Sequence, residues 1–168
     1  MPILLVVDMQ PRFSSSRPSW LIRNVSREIH SAMKKSWGIV FLEYTRRCGR
    51  GGVFLTERTH GKLLLLVEGY EHAMTVHKES DDGSREVLHA IDGWYGDDGR
   101  EHSGGGIRVV GVNTGCCVAD TVNGLTKIMP YTEIVVVGNA CNHVYENEQP
   151  STCGQDMINE NVAIVEVS

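Results

Sequence analysis

Six short runs rich in Val, Ile and Leu recur along the chain, and they limit its possible folds more than any other feature. Most of these runs are continuously apolar rather than alternating, which is typical of strands buried on both faces of a sheet. They are ILLVV (3–7), GIVFLEYT (38–45), AMTVH (73–77), IRVVGV (107–112), EIVVVG (133–138) and VAIVEV (162–167).

A segment with a helical pattern separates each run from the next. In the first, apolar side chains recur at i, i+4 spacing at Leu21, Val25, Ile29 and Met33. Alternating strands and helices predict parallel pairing through right-handed crossovers, and therefore an α/β fold: a three-layer α/β/α sandwich around a six-stranded parallel sheet. The length of 168 residues predicts a single domain, 1–168. The helical segments are 19–37, 61–70, 84–94, 116–129 and 151–161.

Charge and composition exclude several classes of protein. A net charge of −5 disfavours binding to nucleic acid or to an anionic membrane surface, since both need clustered Lys and Arg. The first apolar run is too short for a signal peptide or a membrane span, so we expect a cytoplasmic protein. The five cysteines form neither a C-x-x-C pair nor zinc-ligand spacing, which predicts free thiols. No cofactor is expected.

Reactive side chains follow three of the predicted strands. Asp8 follows the first, Lys78 follows the third, and the segment 113–117 with Cys116 and Cys117 follows the fourth. In open parallel sheets, ligands bind beyond the carboxyl ends of the strands, where the strand order reverses. A thiol nucleophile, a carboxylate that takes and returns its proton and an ammonium that holds the carboxylate ionised are together sufficient for acyl transfer. The pattern predicts a triad of Asp8, Lys78 and Cys117.

Helical periodicity distinguishes the two adjacent thiols. In a helix that begins near residue 116, Cys117 lies beside the apolar stripe of Val118 and Val122, whereas Cys116 shares a row with the polar Asp120. Cys117 is therefore predicted to face the sheet and Cys116 to be a bystander. A thiol in the first turn of a helix is also expected to have a lowered pKa, because unpaired backbone N–H groups stabilise the thiolate.

At these positions the chain resembles the isochorismatase-like cysteine hydrolases, a superfamily that includes nicotinamidases and N-carbamoylsarcosine amidohydrolase. LLVVDMQ (4–10) resembles the family's opening strand, which ends in a catalytic aspartate. VVGVNTGCCVADT (109–121) is similar to its G-x-x-T-x-x-C-V-x-x-T signature, and TVHKES (75–80) has a lysine where the family's third strand ends. The resemblance covers essentially the whole chain.

The resemblance implies a strand order of 3-2-1-4-5-6 and a role for each member of the triad. Asp8 would be the general base and acid, Lys78 the orienting cation and Cys117 the nucleophile. It also implies a cis peptide bond between Val112 and Asn113, with the amides of Asn113 and Cys117 forming the oxyanion hole. The strand order raises one geometric question, because Lys78 begins two strands away from Asp8.

The substrate itself is expected to be a small molecule. Phe13 and the loops 46–58 and 79–106 are predicted to form the walls of its crevice. By analogy with the family, the protein is expected to be a homo-oligomer, either a dimer or a tetramer.

Two departures from the family pattern bear on the reaction. Nicotinamidases bind a metal through a D-x-H motif after the second strand, but here that stretch reads LEYTRRCGRGG (42–52), and His60 has no partner at ligand spacing. A metal-independent enzyme is therefore predicted. Asn139 occupies a position where many relatives have aspartate.

Three functions remain open. The first is a hydrolase that cleaves the C–N bond of an amide, carbamoyl or ureido compound through a thioester. The second is a catalytically silent relative that binds a small molecule or a protein. The third is a thiol redox protein using Cys116 and Cys117, which is disfavoured because neighbouring side chains on a helix diverge by about 100°.

Overall fold

A computed structural model of the chain describes residues 1–48, 52–54, 57–95, 105–143 and 152–166. Six parallel strands form one sheet: β1 (Ile3–Val7), β2 (Gly38–Tyr44), β5 (Ala73–Lys78), β6 (Ile107–Val112), β7 (Ile134–Asn142) and β8 (Ala163–Val165). Their order in the sheet is β5-β2-β1-β6-β7-β8, which is 3-2-1-4-5-6 along the chain and confirms the expected topology.

The central strand β1 shows why the runs are continuously apolar. All five of its residues are buried, and alternate side chains belong to two separate cores. Leu4 and Val6 pack under α1 (Ser19–Lys34) and α2 (Gly61–Leu66). On the opposite face, Leu5 packs under α3 (Ser84–Tyr95) and α4 (Ala119–Ile128). Helices on both faces make the predicted three-layer sandwich.

The structure differs from the sequence-based expectations at three elements. A short antiparallel hairpin, β3 (Arg46–Cys48) with β4 (Gly52–Phe54), lies within a segment that had been predicted to be a loop. The prediction of a helix over 151–161 is wrong for residues 152–161. The only helical element there is a 3₁₀ turn at Gln155–Met157. Gly154 precedes that turn at φ 81°, and Ile158 after it is extended, so the backbone does not continue as a helix.

The third difference concerns the segment that carries the cysteines. Residues Thr114–Val118 form a π-helical turn, in which the Val118 amide donates to the Asn113 carbonyl at 3.1 Å, and α4 begins only at Ala119. Cys117 therefore lies in a wide turn before the helix, not in the first turn of the helix itself. Within the described residues, no helix is long and apolar enough to cross a membrane.

Candidate active site

The carboxyl end of the sheet brings Asp8 and Lys78 together. The Lys78 Nζ atom lies 3.0 Å from Asp8 Oδ2, and both side chains are almost completely buried, at 0% and 1% exposure. Asp8 has φ 48°, a left-handed conformation that is uncommon for a residue with a side chain. An ion pair this deeply buried is costly to desolvate, which is typical of a functional site.

The register of the sheet explains how Lys78 spans the intervening strand. Val7 at the end of β1 pairs with Leu42 of β2, and Leu42 pairs with Val76 of β5. Lys78 is therefore two residues further along its strand, and its long side chain crosses the end of β2 beside the Tyr44 ring, with Nζ 5.6 Å from the ring centroid. The extra length of β5 answers the geometric question that the strand order raises.

Cys117 and its neighbour occupy different environments. Cys117 is 5% exposed and packs with the core under α3 and α4, whereas Cys116 is only partly buried. The peptide bond between Val112 and Asn113 is cis, as the family resemblance implies. The Gly115 amide donates to His143 Nδ1, and the amides of Cys116 and Val118 donate to the Asn113 carbonyl.

The pKa of the Cys117 thiol shifts in the direction opposite to the one expected from the sequence. Burial raises the pKa of Cys117 well above its ordinary value, and the Asp8 carboxylate raises it further, while Lys78 opposes the shift only in part. Burial likewise raises the pKa of Asp8, against the attraction of Lys78 and hydrogen bonding with Cys117. Both pKa values are therefore shifted in the direction that favours the protonated form of each group.

A cavity of about 270 Å³ adjoins these groups. It is small compared with the range of roughly 300–1,000 Å³ that is usual for ligand pockets, and therefore suits a small substrate. Phe13, predicted as part of the crevice wall, contacts Tyr44 edge to face with their ring centroids 6.4 Å apart. The lining residues are Phe13, Tyr44, Asp81, Asn113, Cys116 and Cys117.

Two lining residues had been missed by sequence reasoning as individual side chains. Tyr44 is the last residue of β2, and its position at the carboxyl end of the strand next to β1 was the available signal. Asp81 lies in the predicted wall loop 79–106, but no motif distinguishes it from its acidic neighbours. Residues 96–104 of that loop, and residues 49–51 and 55–56 of the loop 46–58, lie outside the described residues. Cys116, interpreted as a bystander, also lines the cavity.

Buried amide side chains hold the cavity walls in place. Gln10 is fully buried; its Oε1 accepts from the Tyr44 amide at 2.9 Å, and its Nε2 donates to the Tyr44 carbonyl at 3.1 Å. Ser15 Oγ donates to Asn113 Oδ1 across the site. Asn142 Nδ2 in turn donates to the Ser15 carbonyl at 2.8 Å. These bonds connect the loop after β1 to the ends of β2, β6 and β7.

The side chains that could ligate a metal are dispersed over the part of the chain that the structure describes. Nowhere in the described ranges do three His, Cys, Asp or Glu side chains lie close enough to hold a metal ion. His60 precedes α2, and its Nε2 lies 3.0 Å from Ser16 Oγ. Asn139, at the position where many relatives have aspartate, accepts a hydrogen bond from Asn24 Nδ2 at 2.6 Å through its main-chain carbonyl.

Comparison with solved structures identifies the fold. The chain superimposes on a nicotinamidase from Staphylococcus aureus with a TM-score of 0.71 at 20% identity, covering 98% of this chain and 96% of that one. An N-carbamoylsarcosine amidase from Thermoplasma acidophilum gives 0.68 at 14% identity, with 98% and 95% covered. A ribonuclease from Caenorhabditis elegans gives 0.68 at 17% identity, with 99% and 76% covered.

The chain therefore has the α/β fold of the isochorismatase-like hydrolases. No protein-family model and no curated protein matches the sequence. Proteins with this fold include amidases and a ribonuclease, so the reaction has to be argued from the residues of the site.

Proposed function

We propose that this protein is a cysteine hydrolase that cleaves the C–N bond of a small amide, carbamoyl or ureido compound without a metal. The observation that carries this proposal is the buried ion pair of Asp8 and Lys78, 3.0 Å apart, beside the Cys117 thiol at a small cavity. The names of two proteins that share the fold, a nicotinamidase and an N-carbamoylsarcosine amidase, are consistent with C–N hydrolysis.

Because the pKa of the Cys117 thiol is raised, we expect its proton to leave during the attack on the substrate. As Cys117 Sγ attacks the carbonyl carbon, its proton passes to Asp8. Lys78 stabilises the Asp8 carboxylate before the transfer and limits the cost of keeping it ionised in a buried site. The negative oxygen that forms would be held by the amides of Asn113 and Cys117.

The remaining steps return each proton to its origin. Asp8 gives its proton to the leaving amine as the C–N bond breaks, which leaves a thioester on Cys117. Asp8 then takes a proton from the attacking water, the thioester is hydrolysed, and the proton passes back to sulfur. Lys78 is a positioning residue in this sequence, because it contacts Asp8 rather than the substrate.

The test is ammonia release from a panel of small amides, carbamoyl compounds and ureides. Cys117→Ala should abolish release from any compound that the natural protein hydrolyses, whereas Cys153→Ala, which removes an exposed thiol, should not. Mass spectrometry of a rapidly quenched reaction should show an acyl adduct on the peptide that contains Cys117. Equal ammonia release by the natural protein and Cys117→Ala would refute the role of the nucleophile.

The second candidate is a catalytically silent protein that binds a small molecule. The raised pKa of Cys117 favours it, because a thiolate poised for attack in the resting state would have a lowered pKa. In that case no member of the panel is hydrolysed. Compounds that fill the cavity would still raise the melting temperature of both the natural protein and Cys117→Ala.

A further inference from the structure

A second carboxylate, that of Asp81, lies next to the proposed nucleophile. Asp81 Oδ1 is 3.5 Å from Cys117 Sγ, which is within hydrogen-bond distance for sulfur. The residue is exposed and lines the same cavity as Cys117. The triad does not account for it, because Asp8 already lies close enough to accept the thiol proton.

The backbone of Asp81 is held by two buried side chains. Lys78 Nζ donates to its carbonyl at 2.8 Å, and Thr121 Oγ1 donates to the same oxygen at 3.2 Å. Thr121, which is fully buried in α4, also accepts from the Gly83 amide at 3.0 Å. The loop that presents Asp81 is therefore tied both to the triad and to α4, so its carboxylate is positioned at the cavity although it is exposed.

The charges around the thiol do not balance. Lys78 contributes one positive charge and is paired with Asp8, while Asp81 adds a second carboxylate that forms no ion pair within the described residues. This carboxylate is one of the groups that raise the pKa of Cys117, so it opposes formation of the thiolate. A positive group on the substrate would offset that opposition and would at the same time be held in place.

We infer that Asp81 is a specificity-determining residue that selects substrates with a protonated amine close to the scissile carbonyl. The carbonyl carbon must approach sulfur to about 3–3.5 Å before attack. An amine one or two carbons from that carbonyl then falls within hydrogen-bond reach of a carboxylate 3.5 Å from the same sulfur. The substrate class is thus a small amino-substituted amide, and this inference rests on the proposed hydrolase function.

The charge preference can be measured without turnover, by modification of Cys117 with small thiol reagents. The reagents are 2-aminoethyl, methyl and 2-sulfonatoethyl methanethiosulfonate, which are cationic, neutral and anionic. In each, the thiolate forms a disulfide and releases methanesulfinate. The proteins are Cys116→Ser, which removes the adjacent thiol, and the same protein with Asp81→Asn. Modification of Cys117 is followed by peptide mass spectrometry, and each rate is divided by that of free N-acetylcysteine.

The ratio of cationic to anionic rates should fall about tenfold when Asp81 becomes Asn, the effect of losing one unit charge close to the sulfur. Asp82→Asn is the matched control. Asp82 is also exposed, and its Oδ1 accepts from the Ser84 amide, a bond that the Asn side-chain oxygen can keep. An equal fall in the Asp82 variant, or no fall in the Asp81 variant, would overturn the inference.

A second comparison separates this inference from the proposed function. If amides are hydrolysed, Asp81→Asn should lower kcat/KM about tenfold for amino-substituted amides. It should raise kcat/KM for neutral amides, because the carboxylate that opposes formation of the thiolate is gone. If the natural protein and Asp81→Asn hydrolyse amides with the same preference between amino-substituted and neutral compounds, the role of Asp81 is refuted. A charge-dependent thiol with no amide hydrolysed would instead refute the hydrolase function and leave the cation preference standing.

Discussion

Replacing Lys78 by Met tests the buried ion pair on which the proposed site depends. Two unit charges 3.0 Å apart attract each other by about 5 kcal/mol at the effective dielectric constant of roughly 20 that suits such pairs. Removing one partner leaves the other buried and uncompensated, which typically costs about 3–5 kcal/mol. We expect Lys78→Met to lower the free energy of unfolding by that amount at pH 7, measured by urea denaturation.

The loss should depend on pH in a direction that the structure specifies. Burial already raises the pKa of Asp8, and Lys78→Met removes the strongest opposing influence. The folded variant then keeps the Asp8 proton to a higher pH than the unfolded chain, whose carboxyl group titrates near 3.9. Because the folded state binds more protons above that pH, the stability of the variant falls as the pH rises from about 4 towards the folded pKa.

Two comparisons make this prediction decisive. Lys62→Met removes an exposed lysine and should change the free energy of unfolding by less than about 0.5 kcal/mol. Adding Asp8→Asn to Lys78→Met should restore part of the lost stability, because the uncompensated charge is gone. A loss no larger than that of Lys62→Met, or a loss that is equal at pH 5 and pH 8, would refute the reasoning.

Three further perturbations test the fold around the site. Gly111→Ala should cost about 3 kcal/mol or more in the free energy of unfolding, because φ is 124° and a Cβ atom would lie 2.1 Å from a main-chain oxygen of β1. The control Gly61→Ala, with nothing within 4 Å of its Cβ, should be neutral or stabilise by up to about 1 kcal/mol. Burial raises the pKa of Cys141 to about 12, so Ellman's reagent at pH 8 should label the exposed Cys153 quickly and Cys141 only after unfolding. Leu4→Ala, at 0% exposure in the central strand, should cost about 2–5 kcal/mol by urea denaturation, and a cost below 1 kcal/mol would contradict its burial.

The strands and most of the helices could be predicted because their signals are local. A run such as ILLVV is apolar at every position, and only a strand covered on both faces buries all five side chains. The spacing around Cys117 likewise predicted that its side chain faces inward, and the structure buries it while Cys116 is only partly buried. Such patterns specify which face of an element is buried, and neighbouring residues in the chain are enough to set them.

The chemistry of the site was less predictable, because it depends on groups that are distant in sequence. The pKa of Cys117 was expected to be lowered by a helix terminus, but burial and Asp8 raise it. Asp81 was not singled out, since its place beside the thiol results from the bonds that Lys78 and Thr121 make to its carbonyl. Local residue patterns therefore predicted which side chains lie at the ends of the strands. The pKa values and contact partners of those side chains depend on desolvation and on contacts between distant segments, which exist only in the folded chain.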